Sequence, residues 1–461
     1  FMYTLRNRIG MAILVIMSCT AVLFAAGSKE PSDTTVGNTP VRVSFWHPNS
    51  GLLGEAMTAL VSEFNSTIGA EKGIRVEEVY QGKAADVATK LRASLQANRK
   101  TDLPDLAQLD ATGVMDVRDS ELMIPMQRLV EGDPGFSLDL LQEGTVLSMT
   151  YRGVMIGMPF NASTILLYYN KDAFREAGLD PEKPPRTLAE LASYAARLVK
   201  RSPDGQSVLR YGFAGVPTTY ELVSWIGQQN GVSYLTDKLN GHEGNPTRVL
   251  FDTDGTMARF LDEWRNVYAS GGLGNMTSDV RQQFIAGKTA MFVISTSSLA
   301  TVIDSVAGRF ELGVGYLPQV DETSTGGVNI GGGAIFAFDN NNDPGKSASW
   351  EFLKFLMSPE SQLFWHQKTG YFPVSKATYD LPAFHAHIAR NPLFKVAIDQ
   401  LHDSDPRIQS VWWPNSYQAY YEIQNGILEM LEKHVPTEET VRNLAAVLNR
   451  FMDEYNRMNK E

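Results

Sequence analysis

One cysteine, Cys19, occurs among 461 residues, and it lies within the first thirty. The chain beyond it therefore has no intramolecular disulfide, no thiolate metal site and no cysteine nucleophile. Positive charge is also short, with 41 Lys and Arg against 52 Asp and Glu and a formal net charge of −11. That balance argues against a nucleic-acid partner, which demands a basic face. Seven histidines are present, but His385 and His387 have no third ligand at a recognisable spacing. The run Asp339-Asn-Asn-Asn-Asp343 opens like a calcium loop, yet Pro344 and Trp350 stand where a glycine and an acid are required, so it reads as a polar turn. Gly331–Gly333 lacks the Lys-Ser/Thr of a phosphate-binding loop, and no Gly-x-Ser-x-Gly elbow occurs. Neither internal repeats nor heptads appear, and no cofactor or metal is expected.

What is present begins with Arg6 and Arg8 ahead of Met11-Ala-Ile-Leu-Val-Ile-Met17 and Ala21-Val-Leu-Phe-Ala-Ala26. A basic start, an apolar stretch and small residues form a secretory signal, expected over residues 1–27. A membrane anchor would need about 20 unbroken apolar residues, and Ser18-Cys19-Thr20 interrupts this run. Ile16-Met17-Ser18-Cys19 also resembles a loose lipoprotein box, so acylation at Cys19 stands beside cleavage near Ala26. Residues 28–40 are polar and rich in Gly, Pro and Ser, a disordered leader by composition. The remaining ~420 residues suffice for two or three domains with a real core.

From Val41 onward, strand and helix patterns alternate. Val41, Val43 and Phe45 alternate with polar residues, and Leu53, Met57, Leu60, Val61 and Phe64 recur at helical spacing. Ile74, Val76 and Val79 read as a second strand, and Val87, Leu91 and Leu95 as a second helix. Thr187 caps a helix with Leu188, Leu191, Ala195 and Leu198 on one side. Such alternation predicts an α/β fold with mostly parallel sheets. Ligands of open sheets of this kind sit beyond the carboxyl ends of the strands. That rule nominates Trp46–Gly51, Tyr80–Ala84 and Leu109–Gly113, hence Trp46, Tyr80 and Asp110, as pocket material.

Three stretches carry a resemblance. Pro159-Phe-Asn-Ala-Ser-Thr164 with Leu167-Tyr-Tyr-Asn-Lys-Asp-Ala-Phe-Arg-Glu-Ala-Gly-Leu-Asp180, then Phe284-Ile-Ala-Gly-Lys-Thr-Ala-Met291, then Trp365-His-Gln-Lys-Thr-Gly-Tyr-Phe-Pro-Val374, occur in that order. Together they resemble the family-1 extracellular solute-binding proteins of ABC importers, most of all the glycerol-3-phosphate-binding branch. The resemblance implies a bilobal periplasmic-binding-protein-like fold of two discontinuous α/β lobes with the ligand in the cleft. The lobes are expected at 41–155 with 288–340 and at 156–287 with 341–461, joined by two or three crossovers, the second through Phe336–Lys346. It implies a polyol, sugar or glycerol-phosphate ligand, delivery to membrane permease subunits, a periplasmic location and a single copy acting alone.

By the same resemblance, Ser163 and Ser295 match ligand-hydrogen-bonding positions, Gly333 a backbone contact and Tyr371 an aromatic lining position. Departures matter equally. Strict spacing puts Ala111 where the branch has an acid, with Asp110 one residue earlier, and Ala84 replaces an aromatic after Tyr80-Gln-Gly82. Tyr420 falls where the branch uses arginine to hold phosphate, and Arg407 and Arg442 fit no motif. A buried phosphate without Arg or Lys lacks its strongest charge-assisted partner. Trp412-Trp413 lies upstream, and Trp413 could stack on a sugar ring. A neutral saccharide or a glycerophosphodiester is thus as credible as glycerol 3-phosphate. A secreted glycoside hydrolase, its carboxylate pair hidden among 52 acids, and a chemoreceptor-feeding binding protein are the alternatives.

Overall fold

The computed structural model describes residues 39–274 and 279–459. The expected signal segment and nearly all of the expected leader lie outside the described residues. No helix among the described residues is long and apolar enough to cross a membrane.

Two sheets organise the chain. In the first, Val41–His47 pairs in parallel with both Ile74–Tyr80 and Leu106–Asp110. The late strand Gly331–Phe338 runs antiparallel to Leu106–Asp110 and also pairs with Met158–Ser163. The β-αβ pattern read from the apolar periods is what forms here. Helix Leu52–Ser66 buries Met57, Leu60, Val61 and Phe64, and helix Ala84–Gln96 buries Val87 and Leu91. The apolar side faces the sheet because burying it removes those residues from water at about 25 cal/mol per Å².

The second sheet has the order Leu312–Tyr316, Ile165–Asn170, Thr289–Ser295, Val208–Ala214, Lys200–Arg201. Ile165–Asn170 is buried along its whole length, which fits its near-continuous apolar sequence. Helix Leu188–Leu198 packs on this sheet, and the Thr187 side chain accepts from the Glu190 amide at 3.2 Å, as its position before the apolar period predicts. Trp225, Phe260 and Trp264 form a ring cluster with centroids 5.2–5.9 Å apart behind the same sheet.

The pairings correct the expected lobe boundaries. Thr289–Ser295 and Leu312–Tyr316 lie in the second sheet, not with residues 41–155. Helix Asp343–Leu356 packs on the first lobe instead, its Phe352 ring 5.8 Å from Phe45 and 5.1 Å from Phe64. Phe336 and its neighbours are interior strand residues, so the second crossover runs earlier, between Tyr316 and Gly331. Sequence spacing could not place these switches, because a buried strand reads alike in either sheet. The chain crosses between the sheets at Ser163–Ile165 and across residues 317–330, and residues 403–410 run beside the second of these, with Gln409 bridged to Ile330. Asp339 accepts Lys100 and Lys346, which hold its carboxyl down to about 2, and Asn342 caps the helix after it. The acidic run is therefore a charged turn with a helix cap.

One buried histidine gives the fold a pH signature. His366 Nδ1 lies 2.7 Å from the Tyr371 carbonyl and donates to it, while Nε2 has no partner amid the rings of Phe384 and Phe394. Burial pushes its pKa down to about 4. The unfolded chain therefore binds this proton first, and stability falls as pH drops from the ordinary 6.5 towards 4. His366→Asn keeps a donor for the Tyr371 carbonyl but cannot protonate. Its stability, measured by urea unfolding, should lose up to about 3 kcal/mol less than the parent over that window.

Candidate functional site

A cavity of about 720 Å³ opens where the ends of both sheets meet the crossings. The three strand ends nominated from the sequence all reach it, through Pro48 and Asn49, through Lys83 and Ala84, and through Leu109–Thr112. Its floor is the strand pair Met158–Ser163 and Gly331–Gly333, where Gly331 faces Ser163 and Gly333 faces both Asn161 and Asp110. The glycines are required by close approach. A Cβ on Gly331 would lie 2.2 Å from the Tyr220 ring, and one on Gly332 would lie 1.4 Å from the Asn161 carbonyl oxygen. Gly332 also has φ +107°, which residues with a side chain rarely adopt.

Most expected site residues converge. Ser163, Ser295, Gly333, Tyr371, Asp110, Trp413 and Tyr420 all line the cavity. The Ser163 hydroxyl is 3.1 Å from the Tyr220 hydroxyl, which also bonds the Ser295 side chain. Tyr220 thus joins the two serines, one from each sheet. Tyr371 bonds Ser297 and Asn161, and burial pushes its phenol up. Burial likewise pushes the Asp110 carboxyl up, although it accepts the Thr112 amide at 3.0 Å and the Thr112 hydroxyl. Thr112 is in turn 3.0 Å from the Tyr417 hydroxyl, a bond from the first lobe to the second. Asn49 donates to Gln108 at 2.8 Å, which fixes both amides at the cavity edge.

Two expected residues are not on the wall. Trp46 packs half-buried against the helix-side core, and Tyr80 is 55 % exposed beside His47. The two lie on opposite faces of the sheet, since Tyr80 pairs with His47 rather than with Trp46, and the cavity takes the turns beyond the strands. The adjacent tryptophans divide their roles: Trp412 stacks on His242 at 3.7 Å, while Trp413 faces the cavity. Tyr420 stands at the mouth with Tyr417 and Tyr421, its hydroxyl bonding Thr218. No arginine among the described residues lines the cavity. Arg407 is bound to Asp405 at the surface. Lys83, exposed at the rim, is the only basic lining residue among those described.

Tyr220, Asn161, Asn329 and Tyr417 were not foreseen. Tyr220 is 57 residues from Ser163 and sits in an ordinary amphipathic helix, Thr219–Gly227, so nothing local marks it. Asn329 stands two residues before the glycine run, and that adjacency was the one available signal. No group of three His, Cys, Asp or Glu among the described residues could hold a metal ion.

Two lobes, a cleft between them and a wall of hydroxyls, amides and rings define a small-molecule binding protein of the bilobal class. The chain belongs to the bacterial extracellular solute-binding protein family, whose model matches residues 59–395. It is similar to the sn-glycerol-3-phosphate-binding periplasmic protein UgpB of Pectobacterium atrosepticum, 29 % identical over 404 residues, covering 86 % of this chain and 85 % of that protein. The Escherichia coli UgpB is 29 % identical over 371 residues, covering 79 % and 81 %. In fold, it is similar to UgpB from Mycobacterium tuberculosis in complex with glycerophosphocholine, with TM-score 0.74 and 23 % identity over 91 % of this chain and 100 % of that one. The sugar-binding protein MalE from Xanthomonas citri superposes with TM-score 0.72 and 21 % identity, over 91 % and 100 %. These proteins bind solutes, and membership places this chain among extracytoplasmic binding components of ABC importers.

The floor gives a direct test. Gly332→Ala should displace Asn161, lowering the melting temperature by several degrees and abolishing ligand-induced stabilisation, whereas Gly153→Ala, whose Cβ meets open space, should leave that stabilisation in place.

Proposed function

We propose that this chain captures a neutral or zwitterionic hydroxyl-rich solute, a glycerophosphodiester or a saccharide, and delivers it to membrane permease subunits without chemically changing it. The observation that carries the choice is the charge of the wall. One carboxylate, Asp110, and one exposed lysine, Lys83, stand among tyrosines, serines and amides, with no arginine. A doubly charged phosphate monoester would leave water for a site that offers it little charge-assisted hydrogen bonding. A diester carries one negative charge, which Lys83 and the backbone amides of Gly331–Gly333 can meet. A sugar carries none. Either ligand offers hydroxyls for Ser163, Ser295 and Asp110, and an apolar or cationic face for Trp413, Tyr371 and Tyr420.

The reading of these residues as ligand contacts rests on their convergence at one cavity together with the family's resemblance. The same cavity counts against a hydrolase, because Asp110 is its only carboxylate among the described lining residues and hydrolysis of glycosides uses a pair.

Thermal melting against glycerol 3-phosphate, glycerophosphocholine, and neutral mono- and disaccharides tests this. At a hundredfold excess over its dissociation constant, a ligand adds about 2.7 kcal/mol, a shift of several degrees. Glycerophosphocholine or a sugar should give that shift, and Tyr371→Phe should reduce it. A shift with glycerol 3-phosphate alone would overturn the charge argument and point to Lys83 as the phosphate ligand.

A further inference from the structure

Closing a cleft requires the chain crossings to move as one, and a single buried residue bonds from one crossing to the other and to the segment 403–410 beside them. Asn329 is fully buried in the second crossing, and it also lines the cavity. Its carbonyl oxygen accepts the Thr164 hydroxyl of the first crossing at 3.3 Å. Its Nδ2 donates to the Ser410 hydroxyl, in the segment 403–410 that runs beside the second crossing, at 3.3 Å. Its Oδ1 accepts the Ser224 hydroxyl at 2.5 Å, and its amide N–H donates back to that oxygen at 3.2 Å. Ser224 belongs to helix Thr219–Gly227, which presents Tyr220 and Val223 to the cavity.

We infer that Asn329 is a positioning residue that joins the two crossings, and the segment 403–410 beside them, to the cavity wall, so that occupying the cleft and setting the hinge are one event. This rests on reading the cavity as the ligand cleft. The side chain suits the role because an amide supplies an acceptor for Ser224 and a donor for Ser410 at once. Aspartate would lose the donor, and leucine both. The bonds continue outward. Ser410 donates to the Ile330 carbonyl at 3.1 Å, and the Thr164 carbonyl accepts the Thr296 amide at 2.8 Å beside Ser295.

A second clamp holds the far side of the crossings. Gln400, also buried, accepts the Leu317 amide at 2.6 Å and donates to the Ile165 carbonyl at 2.7 Å. Between these two amides the first and second crossings are pinned on both sides of the sheet switch. Hydrogen bonds in such a dry setting are strong when complete, and a missing member leaves a costly orphan. The junction therefore favours discrete lobe positions over a loose hinge.

Asn329 and Ser410 line the cavity themselves, so the test changes their partners, which do not. Ser224→Ala removes the bonds at Oδ1 and the amide, and Thr164→Val removes the one at the carbonyl. Because Cys19 is the only cysteine, a full chain with Cys19→Ser, Glu55→Cys and Asn425→Cys takes one spin label on each lobe. In the unliganded chain, each junction variant should widen the interlobe distance distribution at least twofold. Val302→Ala, a buried core change in the second lobe, should lower the melting temperature without widening it. With glycerophosphocholine or a sugar as probe, the junction variants should bind at least fivefold more weakly by calorimetry. An unchanged distribution with only a lower melting temperature would overturn the proposal and leave Asn329 a packing residue. Should the parent respond to neither probe, the ligand reading falls, while the unliganded distributions still decide the junction.

Discussion

The close approach of the Gly331–Gly333 backbone to Met158–Ser163 is the constraint on which the rest depends. With any side chain at Gly332, the Asn161 carbonyl would have to move by more than an atomic radius. The two strands then could not pair, and the first sheet would lose the strand that joins its parallel half to the crossings. The same three glycines leave backbone, not side chains, facing the cavity. Their smallness lets Tyr220 lie against Gly331 and reach Ser163 and Ser295 together. A packing requirement and the cavity floor are here the same atoms.

From that floor the site acquires two characters. The inner end, with Asn161, Ser163, Tyr220 and Tyr371, is largely buried and already hydrogen-bonded in part, with Asn161 Oδ1 left without a partner. A ligand there must replace bonds the protein already makes, which favours one with several hydroxyls in fixed directions. The mouth, with Tyr417, Tyr420 and Tyr421, is partly exposed and held by single bonds such as Thr112 to Tyr417. Rings of that kind accept an apolar sugar face or a cationic group with little geometric demand. On the proposed reading, specificity would be set inside and tolerance at the rim.

Much of the site was legible before the fold was known. Strand ends at His47, Tyr80 and Asp110 placed three turns at one edge of a parallel sheet, and all three reach the cavity. Ser163, Ser295, Gly333 and Tyr371 came from the family likeness, and all four line one cavity. Trp46 and Tyr80 failed because the rule names the end of a strand, whereas the cavity takes the loop just past it. Tyr220 and Asn329 were invisible because their roles consist of bonds to residues 57 and 165 positions away.

The amino-acid sequence by itself determined the α/β class, the positions of the early strands and helices, the lack of disulfides and the negative balance. Each of these follows from local period, capping or composition. Tertiary structure alone decided which sheet takes residues 289–316, where helix Asp343–Leu356 packs, where the crossings run, and how Asn329 ties them together. Apolar alternation tells a strand which face to bury, but the choice of partner strand is a long-range matter of shape and hydrogen-bond register. The charge of the cavity wall was likewise decided in three dimensions, because a net charge of −11 is silent on which few side chains turn inward.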